Sequence, residues 1–373
     1  MHDQHRLPSL ASGLCNHKSR CDSLRRMSNL NRRTFLSSAL ASLGMAAAGS
    51  RWTAFGQQQA GGKLFRIDIH HHFGPPAWVA EVKGRPLLQP ANTTWTVAKS
   101  IDDMDKGGVA ASVISVTNPG LWFGDKAVTT RLSRACNEFA AKVVQDNPNR
   151  FGFFAAMPLP DVDSTLKEIA YAYDTLKADG VGLFTSYGDT WLGNPSYRPV
   201  MEELNRRNAV VHVHPTASPC CRDLNYAPGV GPGSMEYGTD TTRAITGVCF
   251  NGDASRFPNI RWIWSHAGGT MPFLAGRIDG ASGNFKAQLP NGLMSELKKF
   301  YYDVAGAANP GAIASLQKLV NSDKILFGTD FPPGGSSAGV ARALRELGMF
   351  TESDLRALER DNAVRLLPRL KST

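Results

Sequence analysis

Short apolar runs alternate with longer amphipathic segments along most of this chain. The runs are rich in β-branched and aromatic residues and end at turn residues, which is typical of buried strands. The segments between them repeat apolar residues every three or four positions, as amphipathic helices do. We therefore predict strands at 67–73, 109–116, 151–157, 181–184, 209–214, 260–266, 300–304 and 324–329. Helices are predicted at 100–107, 127–147, 163–178, 196–207, 236–250, from 271 onward, and at 310–320, 335–347 and 351–366.

Strands that alternate with helices imply a parallel sheet, because each helix carries the chain back to start the next strand. Eight such units in a chain of this length favour a closed (β/α)8 TIM barrel, an α/β fold, over an open sheet. The first strand is followed by an insertion, 74–99, rich in Pro and Trp. No glycine-rich phosphate fingerprint follows that strand, which argues against a dinucleotide-binding fold.

The first 60 residues have a different character. Asn31-Arg32-Arg33-Thr34-Phe35-Leu36 is a twin-arginine pair, and a weakly apolar segment runs from Ser37 to Gly49. This order is that of a twin-arginine (Tat) export signal, and the apolar run is too short to span a membrane. We predict that 1–60 is a leader, disordered or cleaved, and that 61–373 is a single barrel domain. The alternative is a basic tail without a signal, in a cytoplasmic protein.

The formal charge of +9 lies mostly in the leader, since residues 1–62 hold eight Lys or Arg and only two Asp or Glu. The body has no basic stripe with interleaved aromatic residues, so a nucleic-acid partner is not expected. Of the body's cysteines, Cys220 and Cys221 are adjacent and no CxxC pair exists. We expect Cys136, Cys220, Cys221 and Cys249 to be ordinary thiols, without a disulfide framework or a thiolate metal site.

Histidines mark the ends of the predicted strands. Six of the nine histidines lie there and the other three lie in the leader. Strand residues alternate faces, so His70 and His72 share one face and His71 points to the other. The carboxyl ends of barrel strands carry the functional groups of this fold class. Neutral imidazoles on one face are typical ligands of a divalent metal ion, although any one of them alone could be a core histidine.

Several motifs carry a resemblance to a known family. They are the HxH of the first strand, "VHP" at the fifth, "SHAGGTMPFLAGRI" at the sixth, "YYDVAG" at the seventh, "LFGTDFP" at the eighth and "ERDNAVRLL" in the last helix. Together they resemble the metal-dependent amidohydrolase superfamily, in the branch of aminocarboxymuconate-semialdehyde decarboxylase. "GLFTSYGDTWLGNP", "VHPTASPCC" and "TDTTRAI" further resemble 6-methylsalicylate decarboxylases.

The resemblance implies a ligand set and a catalytic residue. The implied metal ligands are His70, His72, His214 and Asp330, with His266 as a catalytic histidine beside the ion. Arg277 is implied to bind substrate carboxylate in the site of a neighbouring subunit, and hence a homodimer is implied. His212 is expected to be structural.

Two departures from related families limit the prediction. The fourth strand ends in Phe184-Thr185 without the lysine that bridges two ions, so one ion is expected. Gly269 stands where some resorcylate decarboxylases have a glutamate. Three imidazoles and a carboxylate with an open position suit Zn²⁺, with Mn²⁺ as the alternative.

Two reactions are compatible with this ligand set. In a non-oxidative decarboxylation of a small aromatic or enoic acid, Asp330 or His266 would deliver the proton and Arg277 would orient the acid. In the alternative, hydrolysis of a lactone, ester or amide, Asp330 would take a proton from water and His266 would stabilise the oxyanion. The resemblance favours the decarboxylase. Aromatic residues Phe73, Trp78, Trp95, Trp122, Phe123 and Trp191 are candidates for a flat apolar pocket, or for core packing. A barrel that only binds a metal or ligand is the non-enzymatic alternative.

Overall fold

The structure, a computed structural model, describes residues 64–86, 88–216, 220–221, 227 and 230–373. The predicted leader, 1–60, and its twin-arginine motif lie outside the described residues. The predicted start of the barrel domain at residue 61 also lies outside them and stays a prediction.

Eight parallel strands form one sheet, with neighbours in the order β1-β2-β3-β4-β7-β8-β9-β10. A separate antiparallel hairpin, β5-β6, follows β4. The strands of the sheet are buried along their length, apart from one partly exposed residue in each of β1, β4, β8 and β9. This is expected for a parallel sheet that is covered on both faces. The strands are β1 Arg66–His72, β2 Val109–Ser115, β3 Phe151–Ala156, β4 Gly180–Phe184, β5 Ser186–Tyr187, β6 Thr190–Trp191, β7 Val210–His214, β8 Arg261–Trp264, β9 Tyr301–Asp303 and β10 Ile325–Leu326.

The sheet closes between its first and last strands. Ile69 N–H donates to Phe327 O over 3.1 Å, and His72 N–H donates to Phe331 O over 2.7 Å. His71 and Phe331 also form a parallel bridge. The segment after β10 therefore completes the barrel beside β1, and the structural neighbours reported below share this fold, so the predicted (β/α)8 TIM barrel is confirmed.

Helices connect the strands and surround the barrel. They are α1 Pro76–Val82, α2 Pro90–Thr93, α3 Val97–Lys106, α4 Lys126–Asp146, α5 Val162–Asp174, α6 Arg198–Arg206, α7 Glu236–Phe250, α8 Asp253–Arg256, α9 Met271–Asp279, α10 Leu293–Leu297, α11 Pro310–Leu319, α12 Ser337–Glu346, α13 Glu352–Arg356 and α14 Asn362–Leu366. Short 3₁₀ helices are Pro195–Tyr197, Pro232–Ser234, His266–Gly268, Ser282–Phe285, Ser322–Lys324 and Pro368–Ser372. Among the described residues, no helix has the length and apolar character that crossing a lipid bilayer requires.

Two apolar clusters hold the barrel. The larger one fills the space between the strands and the surrounding helices. The smaller one joins inward residues such as Ile67, Ile69 and Ile263 to Leu366 and Leu370 of the C-terminal segment. The C-terminal segment therefore packs against the interior residues near the amino ends of the strands, while the histidines lie at the opposite, carboxyl ends.

The structure differs from the predicted elements in three places. The insertion 74–99 forms two short helices, each with a proline in its first turn, where a missing N–H costs nothing. The predicted helix 351–366 is interrupted by a π-helical stretch, Ala357–Asp361. The chain after β4 forms the β5-β6 hairpin, which Asp240 of α7 holds by accepting hydrogen bonds from Thr185 and Trp191.

The cysteine prediction is half right. Cys136 and Cys249 are buried free thiols, as expected. Cys220 and Cys221, however, form a disulfide with each other. The prediction excluded this pair because adjacent Cα atoms, here 3.8 Å apart, are closer than in most disulfides. The prediction of four free thiols is therefore wrong.

Candidate metal centre and active site

Three imidazoles converge where β1 and β7 end. His70 Nε2 lies 3.1 Å from His72 Nε2, and His72 Nε2 lies 3.2 Å from His214 Nε2. All three side chains are buried. The pairing of β1 with β2 is irregular between Asp68 and His71, so Ile69 and His70 both face the interior, and the alternation that follows turns His71 outward and His72 inward. His214, the last residue of β7, meets His72 at the same level. The structure thus brings the three predicted histidine ligands together.

The other ring nitrogen of each histidine is already engaged. Nδ1–H of His70 donates to Asp303 Oδ2 over 2.9 Å, that of His72 to Ser115 O over 3.2 Å and that of His214 to its neighbouring Pro215 O over 2.8 Å. With Nδ1 as the donor, each neutral ring presents an Nε2 lone pair to the common centre. Such outer bonds set the tautomer and ring orientation of metal-ligating histidines.

Asp330 supplies the carboxylate of the cluster. Its Oδ1 lies 2.8, 3.4 and 3.9 Å from Nε2 of His72, His70 and His214. Its backbone has a φ of 59°, a conformation that is uncommon outside glycine, and its N–H donates to His70 O over 2.8 Å. A Cβ at Gly334 would lie 2.2 Å from Asp330 Oδ2, so glycine there leaves room for the carboxylate.

The four groups fit one divalent ion. Ligand bonds of about 2.0–2.1 Å in a tetrahedral site put neighbouring ligand atoms about 3.3 Å apart, close to the spacings observed here. Three Nε2 lone pairs and a carboxylate oxygen facing one point repel one another, and a cation at that point relieves this. A site with four protein ligands of these types is therefore present at His70, His72, His214 and Asp330.

The charges around this centre are consistent with a bound cation. Burial opposes a charge on His70, but Asp303 and Asp330 outweigh it and raise the pKa of His70 to about 10, so without an ion its Nε2 carries a proton, which a bound cation would replace. Burial lowers the pKa of His72 and of His214. Burial also acts to raise the pKa of Asp330, but hydrogen bonds from the three histidines hold it well below its usual range. The two carboxylates thus remain ionised and favour positive charge at the centre.

Asp303, at the end of β9, is a residue that the sequence reasoning did not assign. Its fully buried carboxylate accepts hydrogen bonds from His70 Nδ1 and His212 Nε2, at 2.9 and 3.1 Å, and from the backbone N–H of His266 and Ala305. Burial opposes its charge, yet His70 and His212 hold the pKa of Asp303 below its usual range. The signal was available, because an aspartate ends a predicted barrel strand within the "YYDVAG" motif.

His212 belongs to this supporting layer, one level deeper than His214. Its ring stacks on Phe154 at a centroid distance of 5.3 Å and it is not one of the four clustered ligands. The expectation that His212 is structural agrees with this position.

His266 borders the centre from the other side. Its ring centroid lies 4.8 Å from that of His70 and 5.5 Å from that of His214. Its Nδ1–H donates to Ala305 O over 2.9 Å, which leaves Nε2 without a hydrogen-bond partner among the described residues. The φ angle of His266 is 53°. A partly exposed imidazole with a free nitrogen beside a metal centre can carry a proton to or from a bound molecule.

His70, His266 and Asp303 form a second close group of ligand types. Asp303 is already saturated by four donors, and His70 can offer only Nδ1, which donates to it. The end of β4, where a lysine would bridge two ions, carries Phe184 followed by Thr185 instead. The geometry therefore supports one ion rather than two.

A cavity of about 350 Å³ opens at the loops after β2, β4 and β7. None of the four clustered ligands is among its described lining residues, and its link to the centre is Phe184, whose ring centroid lies 6.3 Å from that of His214. Trp122 and Phe123 line it, together with Phe184 and Tyr187. Of the other predicted pocket aromatics, Phe73, Trp78 and Trp95 are buried in the core and do not line this cavity, and Trp191 donates to Asp240. The sequence pattern could not separate the aromatic residues that line the cavity from those that fill the core, because both are large apolar residues near strand ends.

Arg85 is the cationic residue among the described residues that line this cavity. Its guanidinium lies 3.9 Å from the centre of the Phe123 ring, and its Nη2 lies 2.7 Å from a Glu81 oxygen. The sequence reasoning did not single it out, since Arg85 lies in the insertion, where no periodic pattern points to a role.

Arg277, the predicted substrate-binding arginine, does not join the cluster within this chain. It lies exposed on α9, and no carboxylate among the described residues pairs with it. Phe273, four residues earlier, is 80% exposed.

Comparison with known proteins gives a family match and close relatives. The family described as Amidohydrolase matches residues 67–369. The 6-methylsalicylic acid decarboxylase of Penicillium expansum is 34% identical over 324 residues, 83% of this chain and 98% of that protein. The 2-amino-3-carboxymuconate-6-semialdehyde decarboxylase of Dictyostelium discoideum is 24% identical, over 81% of this chain and 84% of that protein.

Solved structures match over similar lengths. A crystal structure of an amidohydrolase II is 28% identical with a TM-score of 0.75, covering 81% of this chain and 99% of that one. The dihydroxybenzoic acid decarboxylase of Polaromonas sp. JS666, with bound manganese and the inhibitor 2-nitroresorcinol, is 20% identical with a TM-score of 0.71. It covers 82% of this chain and 97% of that one.

Proposed function

The chain belongs to the amidohydrolase family, and on this premise we propose that it is a metal-dependent, non-oxidative decarboxylase of a small aromatic carboxylic acid of the salicylate type. The predicted enzyme class, a carboxy-lyase, is confirmed by its decarboxylase relatives. The substrate is the part of the proposal that the chain's own site must support.

One observation carries the proposal. Four ligand atoms converge on one point while His266, beside them, keeps Nε2 without a partner among the described residues. The cavity that Phe184 borders has aromatic walls and carries the guanidinium of Arg85. A flat acid can stack on such walls while its carboxylate faces the ligands.

Each residue of the site has a separate role in the proposed decarboxylation. His70, His72, His214 and Asp330 would hold the ion, which when bound would supply Lewis-acid polarisation of a carboxylate or phenolic oxygen. His266 holds a proton on Nε2, since its Nδ1–H stays with Ala305 O, and gives it to the ring carbon that bears the carboxylate. The carbon–carbon bond then breaks, its electron pair restores the aromatic ring and CO₂ leaves. Asp330, 18% exposed at its side chain, is the alternative proton carrier.

We propose Zn²⁺ as the ion, because three imidazoles and one carboxylate at tetrahedral spacing suit it. Mn²⁺ is the competing ion, and a solved structural neighbour contains it. Elemental analysis of protein purified without added metal, followed by reconstitution with each ion, decides between them.

We also propose a homodimer in which α9 forms part of the interface. The proposal is supported by Phe273, a large apolar side chain that is 80% exposed on α9, and by Arg277, which lies one helical turn away on the same face. Sedimentation should give a dimer for the wild type and a monomer for Phe273→Asp. A wild-type monomer would contradict the proposal.

Export is the remaining proposal. The order of charge, apolar run and Ala/Gly-rich end supports a Tat leader, and a Cys220–Cys221 disulfide is expected mainly in an oxidising compartment. In cell fractionation the full chain should appear in the periplasm, and Arg32→Lys with Arg33→Lys should keep it in the cytoplasm. Cytoplasmic wild-type protein would overturn the export proposal.

The test of function uses zinc-reconstituted protein and a panel of ortho-hydroxybenzoic acids that includes 6-methylsalicylate. CO₂ release should occur, and His266→Gln should lower kcat by about 10²–10⁴-fold with metal content unchanged. Asp330→Asn is the parallel variant, and we expect it to lose metal as well as activity. If no acid releases CO₂ and the same preparation hydrolyses a lactone or ester panel, the decarboxylase proposal is wrong and the hydrolase is supported.

A further inference from the structure

Phe184, the last residue of β4, separates two cavities. It lines the cavity of about 350 Å³ described above and also a small one of about 10 Å³ inside the barrel mouth. The small cavity is bordered by His212 and by the metal-ligand histidine His214. Phe184 is the residue that the two linings share among the described residues. Its ring therefore forms the wall between the open pocket and the interior beside the ligands.

The wall stands next to the metal centre. Phe184 is the register partner of His214 on the neighbouring strand, and the two ring centroids are 6.3 Å apart in an edge-on arrangement. In the proposed complex, a carboxylate directed at the ligand atoms beside His214 would bring a neighbouring ring position towards Phe184. Substituents further around the ring face the open pocket.

The ring of Phe184 is held in place by its neighbours. Phe184 N–H donates to Tyr187 Oη over 3.0 Å, and the two rings meet edge-on at 6.3 Å. On the other side lies Gly120, whose φ is 81°. A Cβ on this residue would lie 3.4 Å from the Phe184 ring, so Gly120 packs closely against it. Phe184 is only 6% exposed. A large side chain packed on several sides cannot move aside cheaply for a bulky substituent.

We infer that Phe184 is a specificity-determining residue that limits the size of the group next to the reacting carboxylate. We expect small groups such as hydrogen, hydroxyl and methyl to be accepted there and longer alkyl groups to be excluded. This inference rests on the proposed decarboxylase, and it adds the residue that limits the second ortho substituent of the acid.

The experiment compares salicylates with methyl, ethyl, propyl and pentyl groups at the 6-position on zinc-loaded protein. In the wild type, each misfitting methylene should lower kcat/KM by roughly 10–200-fold. Phe184→Ala, which joins the two cavities, should raise the propyl-to-methyl ratio of kcat/KM at least about tenfold, and Phe184→Leu should give an intermediate ratio. Phe153→Leu is the matched control, because Phe153 is also buried, on β3, but lines neither cavity.

A second readout does not need turnover. Titration calorimetry of the same acids gives the affinity profile of each variant, and thermal unfolding with metal analysis confirms that each variant is folded and loaded. Relaxed size selection in both Phe184 variants, with the wild-type profile kept in Phe153→Leu, is the expected result. An unchanged profile in folded Phe184→Leu and Phe184→Ala would overturn the inference while leaving the decarboxylase intact. A wild type that neither binds nor converts any acid would overturn both.

Discussion

Adjacent histidines on β1 have opposite surroundings. His70 and His72 face the barrel interior, where their Nε2 atoms point to the metal centre. His71, equally buried, faces away and stacks on Phe331 at 4.8 Å between ring centroids. One strand thus carries two histidines in the metal centre and one outside it, and the residue type alone does not tell them apart.

The surroundings of His71 are complete without a metal. Trp95 Nε1–H donates to Ser100 Oγ, Ser100 O–H donates to His71 Nε2, and His71 Nδ1–H donates to Asp68 Oδ2, at 2.8, 2.8 and 3.0 Å. Asp68 also accepts hydrogen bonds from Thr329, which precedes the ligand Asp330. Every ring nitrogen of His71 therefore has a protein partner.

The difference shows what makes a buried histidine a ligand. On the inner face, Nδ1 of His70, His72 and His214 donates to a protein oxygen. The Nε2 atoms face one another and the Asp330 carboxylate, so acceptors outnumber donors there. On the outer face both nitrogens are satisfied. A shortage of donors around converging lone pairs indicates a cation, whereas a closed chain of donors and acceptors indicates a structural role.

The largest effect should come from removing an inner histidine. We expect His72→Ala to lose the ion and, with it, at least about a thousandfold in kcat/KM, because the ion supplies several kcal/mol of charge stabilisation. Elemental analysis and CO₂ release measure both. Full metal occupancy in a folded His72→Ala protein would show that the cluster is not the metal centre.

A smaller effect is expected one layer out. Asp303→Asn removes the charge that orients His70 and should lower metal affinity or activity about 10–100-fold. Competition with a chromophoric chelator measures the affinity. Asp103→Asn is the matched control, since Asp103 is a buried carboxylate that instead binds Ser337 of α12. Equal losses in the two variants would mean that Asp303 acts on stability alone.

The outer histidine should affect stability instead of metal binding. We expect His71→Phe to destabilise the fold by about 2–4 kcal/mol, because Asp68 and Ser100 each lose a buried partner. Metal affinity of the folded fraction should stay within about threefold of wild type, a free-energy difference below 1 kcal/mol. Urea unfolding and the chelator assay separate the two quantities. Metal loss as severe as in His72→Ala would abolish the distinction between the two faces.

The smallest effect concerns a buried polar group that lacks such a closed chain. Neither oxygen of Asp253 has a hydrogen-bond partner among the described residues, and the Arg198 Nε lies 3.7 Å away. Burial raises the pKa of Asp253 to about 6 from 3.8. Folding therefore favours the protonated form, so the contribution of Asp253 to stability falls as pH rises from about 4 to about 6 and then levels off.

Asp253→Asn removes this cost and should stabilise the fold by about 1–2 kcal/mol at pH 8, with the gain vanishing below about pH 4. Chemical denaturation at several pH values measures it. A gain that is the same at pH 4 and pH 8 would show that the charge of Asp253 is not the cause.

The alternation of strands and helices, and the face on which each histidine points, could be predicted from local patterns. A strand has a period of two, so the separation of His71 from His70 and His72 follows from the sequence alone. The positions of His214, His266 and Asp330 at strand ends followed in the same way once a barrel was expected. These predictions needed only the periodicity of the backbone and the rule that functional groups lie at the carboxyl ends.

Tertiary structure alone decided the partners. Asp303 accepts from His70, Ser100 donates to His71, and Phe184 borders His214. These partners lie 29 to 233 positions apart in the chain or on neighbouring strands. Which aromatic residues line the cavity and which fill the core was decided in the same way. Hydrogen bonding and close packing act between neighbours in space, and a sequence reports distance along the chain, so it determined the elements and candidate ligands, whereas folding determined their environments.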